Sequence, residues 1–386
     1  MLMNYMALIN INTPLDDMRA LVKYRNPGSL PLGGRYRLID FHLSNLVNAE
    51  ITNVGIIGDM TKQGSLTDHI GNGAPWDLDR KNDGIFFLRK YDSLSNKMSF
   101  SDLEANFKYF THSKQKNIII MDSSMVFNID LKKVIDEHEK NNRDVTMLYK
   151  KIDDVDGKFY QCDTLNFDST GAVKSFGKNI MFNKEQNISL NAFIISKAKL
   201  MHLIGRQIER NEYRTFSQLI LENVEILTIR GYEFKGYVAE INSVKNYFDF
   251  NMDLLNSEVK DELFENERTV FTKRKDTPST IYKNGSLVEN SLISNGCQIR
   301  GTVRNSIIGR RVKIDSGAVV ENCVIMQGCH IKAGAVLHSV IMDKDNTINE
   351  FEHLNSSPSY PLVIEKNDKI TRELWNKLAR GENING

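Results

Sequence analysis

Two arginines one residue apart, Arg35 and Arg37, follow the glycine pair Gly33-Gly34 and precede Asp40 in the run GGRYRLIDFHLSN, Gly33 to Asn45. Arginine holds phosphate oxygens bidentately, so this stretch has the residue types of an anion site. The same residues would equally form a tight turn and the salt-bridged start of a helix, and the sequence leaves both readings open. Upstream stand Asn12, Thr13, Pro14, Leu15, Asp16 and Asp17, where two adjacent carboxylates would repel an anion. His42, His112, His138, His330 and His338 have no second histidine at metal-ligand spacing, so surface or repeat packing is expected of them. Lys132-Lys133, Lys150-Lys151 and Lys273-Arg274-Lys275 alternate with acids, the pattern of solvated faces.

A scaffold has to hold these groups. Residues 4 to about 255 alternate short apolar runs with helical periodicity: YMALINI, VGIIG, NIIIM, VTMLY and NAFIIS read as strands, DLKKVIDEHEK as an amphipathic helix. That alternation predicts an α/β unit with a mainly parallel sheet covered by helices. The polar, proline-bearing LFENERTVFTKRKDTPST reads as a linker, giving an expected division of 1–258, a linker at 259–280, and 281–386.

Beyond the linker the sequence repeats. Ser291-Leu292-Ile293, Ser306-Ile307-Ile308, Cys323-Val324-Ile325 and Ser339-Val340-Ile341 recur at separations of 15, 17 and 16 residues, each preceded by Asn or His, with glycines between. A short strand per coil cannot bury its apolar face alone, whereas stacked coils put aliphatic side chains into one column. The six-residue substructure of Ile299, Val303, Ile308, Val312, Ile314 and Val319 argues for a parallel β-helix of hexapeptide repeats over a β-sandwich.

The 386 residues suit two domains better than three on a prior of roughly 150 residues each. Fifty basic against 49 acidic residues leave a net charge of +1, so no global field favours nucleic acid or an anionic membrane, and any anion site must be local. The N-terminus has no basic leader, and no run of about 18 apolar residues occurs, so a cytoplasmic protein is expected. Cys162, Cys297, Cys323 and Cys329 form no CxxC pair and read as reduced packing residues.

GGRYRLIDFHLSN, HIGNGAPWDLDR at His69 to Arg80 and NSIIGRRVKIDSGAVVENCVIMQGCHIKAG together resemble glucose-1-phosphate adenylyltransferase, also called ADP-glucose pyrophosphorylase, over nearly the whole chain. The resemblance implies a Rossmann-like nucleotidyltransferase domain followed by a left-handed parallel β-helix. The implied reaction joins ATP and glucose 1-phosphate into ADP-glucose and pyrophosphate for glycogen synthesis.

That chemistry needs a backbone cradle for the triphosphate, a cation at the α-phosphorus and carboxylates for Mg²⁺. Counted back from Gly33-Gly34, the family's A-G-G-x-G-T-R-L window falls on INTPLDDM, Ile11 to Met18. It holds no glycine, Pro14 removes an N–H, and Asp17 takes the arginine position. The G-T-A-D-A window reads Met98 to Asp102. The family's metal carboxylate falls on Ser123 without a gap, or on Asp122 with a slip of one. The second metal carboxylate falls on Glu240, with Asn242 for glycine. The sugar-phosphate motif E-K-P falls on SFGKNI around Lys178.

The chain therefore resembles the D-type, regulatory subunit of the bacterial enzyme: a fold retained, a catalytic loop lost. Expected with it are a catalytic homologue as partner in a hetero-oligomer, a tetramer, and a sugar-phosphate effector reached by Arg35, Arg37 or Lys178. No intrinsic cofactor is expected, and Mg²⁺ only if the pocket keeps activity. Two alternatives stay open. One is an active adenylyltransferase with an unusual phosphate loop; the other is a β-helix acyltransferase, which needs a catalytic histidine in a loop where His330 and His338 lie within coils. The Pro75 and Trp76 stretch is expected to fix a loop.

Overall fold

The computed structural model describes residues 4–11, 16–91, 98–180, 185–210, 216–264 and 267–366. Tyr5–Asn10 and Asn53–Gly58 are buried at every position, as parallel strands covered on both faces must be. They lie in a sheet ordered Val173–Lys178, Asp163–Phe167, Glu185–Ser196, Asn117–Asp122, Tyr5–Asn10, Asn53–Gly58, Gly84–Arg89, with Val145–Asp153 pairing both Glu185–Ser196 and Ile229–Glu233. All five anticipated strands form. The sheet is less parallel than expected, because the twelve-residue strand Glu185–Ser196 runs antiparallel to each of its three neighbours.

Helix Leu38–Asn48 packs Ile39, Leu43 and Leu46, and helix Leu131–Lys140 packs Leu131, Val134 and Ile135, into the core on one face of this sheet. Helix Lys197–Arg210 supplies Leu200, Leu203 and Ile204 to the core on the other. Tyr5–Asn10 pairs in parallel with strands that precede and follow it across the sheet, so its C-terminal end is the point where strand order reverses, the usual ligand crevice of an α/β sheet.

The expected boundary shifts. A helix, Ser257–Phe264, runs through 258, and the following segment is packed, not free: Phe271 N donates to Ser44 Oγ at 2.9 Å and Asn48 Nδ2 to Thr269 O at 3.0 Å. From Ile281 onward three five-stranded parallel sheets stack coil upon coil, a parallel β-helix around Ile299, Ile314, Ile331 and Leu337. The last repeat is offset from its sequence reading. Val324 pairs with Ile341, so Ser339 is the counterpart of the corner residues Asn290, Asn305 and Asn322, and all four have positive φ. Asparagine enters that region more readily than most residues.

One sheet of the β-helix meets the first domain. Ile308, Ile325 and Met342 point into the coil stack, while Ile307, Val324 and Ile341 point out and pack with Leu21, Leu30, Leu32, Leu38 and Phe41. At this seam Arg25 Nη2 donates to both carboxylate oxygens of Asp343, at 2.6 and 2.7 Å, with both side chains almost wholly buried. Gly34, at φ +70°, touches the coils directly: a Cβ there would lie 2.7 Å from Ser294 Oγ and 3.1 Å from Ile308 O. Ser294 Oγ donates to Gly34 O at 3.0 Å.

Removing one member of a buried ion pair leaves the other charge unsolvated, at a cost of about 3–5 kcal/mol. Arg25→Met or Asp343→Ala is expected to lose that much in equilibrium urea unfolding, and Arg25→Met with Asp343→Leu to recover most of it. Single variants as stable as the native chain would show that the seam does not depend on the pair.

Candidate functional site

Two sites emerge, one at the strand ends and one at the seam. At the strand ends, Asn10 and Asp122 are register partners on adjacent parallel strands, and Asn10 Nδ2 donates to Asp122 Oδ1 at 2.6 Å. The next residue, Ser123, is wholly buried, so Asp122 is the residue of this pair that reaches the crevice. Glu240 enters from the short strand Ala239–Glu240, paired antiparallel with Met125–Val126. It is buried, and its Oε2 has no hydrogen-bond partner among the described residues. Burial pushes its carboxyl up to about 8, with the charges of Asp122 and Asp163 adding to the rise, so Glu240 is mostly protonated at neutral pH. Lys178 is engaged beside it, its Nζ 2.5 Å from Asp163 Oδ1 and 3.1 Å from Gln161 O.

The expected vestigial metal positions Asp122 and Glu240 thus come together, with Lys178, expected as a phosphate or effector contact, beside them. Asn12, Thr13, Pro14 and Leu15 lie outside the described residues; Asp16 and Asp17 begin a short 3₁₀ turn, Asp16–Met18, with the Asp17 side chain exposed. Mg²⁺ takes oxygen ligands, usually one or two carboxylates with waters and substrate phosphates; the carboxyl groups at this site are Asp122, whose Oδ1 accepts from Asn10, and Glu240, whose neutral form burial favours. No cluster of three His, Cys, Asp or Glu suited to a metal occurs among the described residues.

Arg35 and Arg37 belong to the second site. Pro31–Leu32 and Tyr36–Arg37 form a two-stranded hairpin whose turn, Gly33-Gly34-Arg35, is the one docked on the β-helix. The turn and helix-start reading of the motif is realised. Arg37 N donates to Asp40 Oδ2 at 2.9 Å at the start of helix Leu38–Asn48, and Asp40 Oδ1 lies 2.6 Å from His69 Nε2. His69 is buried edge-on against Trp76, so the His69-to-Arg80 stretch fixes the loop beneath Asp40.

The guanidinium of Arg37, donating to Ser29 O, and that of Arg35 line a crevice with Lys275, Arg310, Gln327 and Lys344. Burial pushes Arg310 and Lys275 down, and neighbouring cations push further: Arg35 on Arg310, Arg37 and Arg310 on Lys275. Lys344 falls to about 7, mainly by burial and then by Arg37 and Arg25. Cations that depress one another have too little negative charge among them.

Sequence reasoning missed Lys275, Arg310 and Lys344. The triplet reads as a solvated face in the sequence; among the described residues Lys273 pairs with Asp68, while Lys275 lines the crevice. Arg310, Gln327 and Lys344 follow the same strand of successive coils, a column that the register at Val324 and Ile341 brings into line. His42 and His138, expected at the surface, are core residues; His42 packs edge-on to Phe127, and His138 Nδ1 lies 2.8 Å from Thr146 Oγ1. The four cysteines are buried and unbridged.

Because Glu240 holds its proton until about pH 8 when folded and loses it near 4.5 when unfolded, the folded state binds the extra proton in between. Stability therefore falls as pH rises through that window. Glu240→Gln cannot ionise and is expected to flatten this fall, gaining on the native chain from pH 5 to pH 8 in urea unfolding. Parallel pH profiles would refute a buried neutral acid.

Residues 18–178 match the nucleotidyl transferase family and residues 278–357 the GlmU-like C-terminal hexapeptide family, in keeping with a left-handed β-helix. The glycogen biosynthesis protein GlgD of Bacillus subtilis is 34% identical over 367 residues, covering 94% of this chain and 95% of that one. That of Geobacillus stearothermophilus is 34% identical over 317 residues, 81% and 82% of the two chains. A glucose-1-phosphate adenylyltransferase of Mycoplasma mobile is 27% identical over 304 residues, 77% and 79%. With a docked turn at Gly33-Gly34, a crevice at the strand-order reversal and this extent of likeness, the chain belongs to the GlgD and glucose-1-phosphate adenylyltransferase family.

Proposed function

We propose that this chain is a non-catalytic subunit of glucose-1-phosphate adenylyltransferase in glycogen biosynthesis, and that it tunes a catalytic homologue by binding a sugar phosphate at the domain seam. The observation that carries this reading is the seam's cation cluster, Arg35, Arg37, Lys275, Arg310 and Lys344, drawn from both domains. A phosphate there would relieve their mutual repulsion and return a proton to Lys344. Its two ends would then tie the hairpin to the coils.

The cavity is small, about 20 Å³, so the exposed Arg35 and half-buried Arg310 side chains swing outward to admit the ligand. Binding then favours one setting of the seam. A shared interface that prefers that setting biases the neighbouring subunit by the difference in contact energy. Lost catalysis is supported from the other side, by a protonated Glu240, an Asp122 held by Asn10 and a glycine-free loop sequence. Mg²⁺ and ATP are accordingly assigned to the catalytic partner. The acyltransferase reading finds no support: His330 is held by Asp315 at 2.7 Å and His338 lies 3.1 Å from Ser356 O, both on strands of the coils and not in a loop that leaves them. Among the described residues no helix is long and apolar enough to cross a membrane, and the glycogen context favours the cytoplasm.

The chain alone, with Mg²⁺, ATP and glucose 1-phosphate, is expected to make no ADP-glucose. Combined with a catalytic homologue from the same genome, it should shift that enzyme's response to a panel of hexose mono- and bisphosphates. Arg310→Ala and Lys344→Ala should each raise the activating concentration by about tenfold, one lost charge-assisted contact, while the unstimulated rate stays the same. ADP-glucose from the isolated chain, or variants indistinguishable from it in the mixed enzyme, would overturn the reading.

A further inference from the structure

One amine of the seam crevice differs from the rest. Lys344 is the buried lysine among the described residues, 8% exposed, and it follows Asp343 at the end of the coil strand Val340–Met342. The carboxylate next to it is already engaged: both Asp343 oxygens accept from Arg25, and Oδ1 also accepts the backbone N–H of Lys344 at 2.6 Å. The other groups that face the amine are cationic, neutral or held elsewhere. Arg25 follows helix Arg19–Val22, Arg37 lies on the hairpin strand Tyr36–Arg37 and Lys275 on the segment before the coils, with Arg35 and Arg310 along the same crevice. Tyr247, from helix Val244–Asp253, donates its hydroxyl to Pro31 O at 2.8 Å, and burial keeps it neutral. His69, from helix Gly64–Ile70, donates Nε2–H to Asp40 at 2.6 Å and is likewise kept neutral by burial, while Asp68 of that helix is held by Lys273.

Crowded cations are relieved where a proton can leave. A guanidinium keeps its proton in proteins, whereas a buried ammonium gives its own up readily. Of the two amines here, Lys275 is less buried and has Asp68 on its side, so Lys344 is the group that yields. We propose, resting on the effector reading above, that the seam takes up a dianionic phosphoryl or sulfuryl group together with one proton, which Lys344 Nζ receives from solvent. The site is thereby gated by pH. Its anion is held tightly where Lys344 is already charged, and more weakly as rising pH favours the neutral amine. Burial first, then Arg37 and Arg25, bring Lys344 down to about 7, so the change falls near neutrality. A phosphate monoester takes up its own second proton at about pH 6, so a sugar phosphate is expected to bind best between about pH 6 and pH 7.

Inorganic sulfate is the probe, because it stays a dianion throughout and leaves only the protein's proton to titrate. In equilibrium dialysis of the full chain against radiolabelled sulfate at fixed ionic strength, one-proton linkage should weaken binding about tenfold between pH 6 and pH 8. Lys344→Met should bind weakly with no such slope, and Lys344→Arg, charged at every pH, should bind at pH 8 as it does at pH 6. Calorimetry on the native chain in buffers of different ionisation heat should show uptake of about one proton per sulfate at pH 8, a reading that needs no variant to fold. Sulfate held equally at pH 6 and pH 8, no proton uptake, or a Lys344→Met profile parallel to the native one would overturn the coupling and leave the effector reading in place. No sulfate bound at either pH would overturn both. Proton-coupled binding that leaves a catalytic homologue unaffected would confirm the coupling and sink the effector reading alone.

Discussion

The buried pair of Arg25 and Asp343 is the constraint on which the arrangement of this molecule depends. Taking two charges out of water is costly unless each finds the other with good geometry, and here two short bonds to one guanidinium nitrogen provide it. The pair is inseparable from the contact around it. Arg25 follows the short helix Arg19–Val22, whose Leu21 and Val22 lie in the seam's apolar core, and Asp343 follows the coil strand Val340–Met342. Swinging the β-helix away would expose Ile307, Val324 and Ile341 together with both charges.

This seam also explains the glycine pair. The hairpin turn can approach the coils because Gly34 has no side chain, and the carbonyl it presents is met by Ser294. Once the turn is seated, Arg35 and Arg37 stand beside Arg310 and Lys344, and the nearby carboxylates are shared with other partners: Asp343 is held by Arg25, Asp40 by Arg37 N and His69, and Asp68 by Lys273. The site at the strand ends has the opposite imbalance. Acids gather there, and one of them stays neutral because burial is cheaper for the acid than for its anion. The backbone from Ile11 to Arg37 connects the two sites.

The β-helix uses its three sheets differently, and the sequence shows it. Strands such as Gln298-Ile299, Lys313-Ile314 and Thr347-Ile348 alternate polar and apolar residues and face water on one side. Ile307-Ile308 and Val324-Ile325 are apolar at both positions, because one side chain fills the coil and the other meets the first domain. Doubly apolar strands in a repeat are therefore a mark of a docked face. The offset at Ser339 comes from the corners, where backbone handedness counts for more than the apparent likeness of Ser306 and Ser339.

By itself the sequence determined the α/β unit, the repeat and its coil stacking, the absence of glycine from Ile11 to Met18, and the two arginines able to hold an anion, since each follows from local periodicity, composition or a short motif. Tertiary structure alone decided what surrounds those arginines. Lys275, Arg310 and Lys344 are far from Arg35 in the chain and carry no motif; they meet it only because the coil register lines up one turn residue per coil and the Arg25–Asp343 pair presses that column against the hairpin. The protonation of Glu240 was equally hidden, because a carboxyl's charge is set by the water it has lost and the neighbours it has gained, and neither can be counted along a sequence.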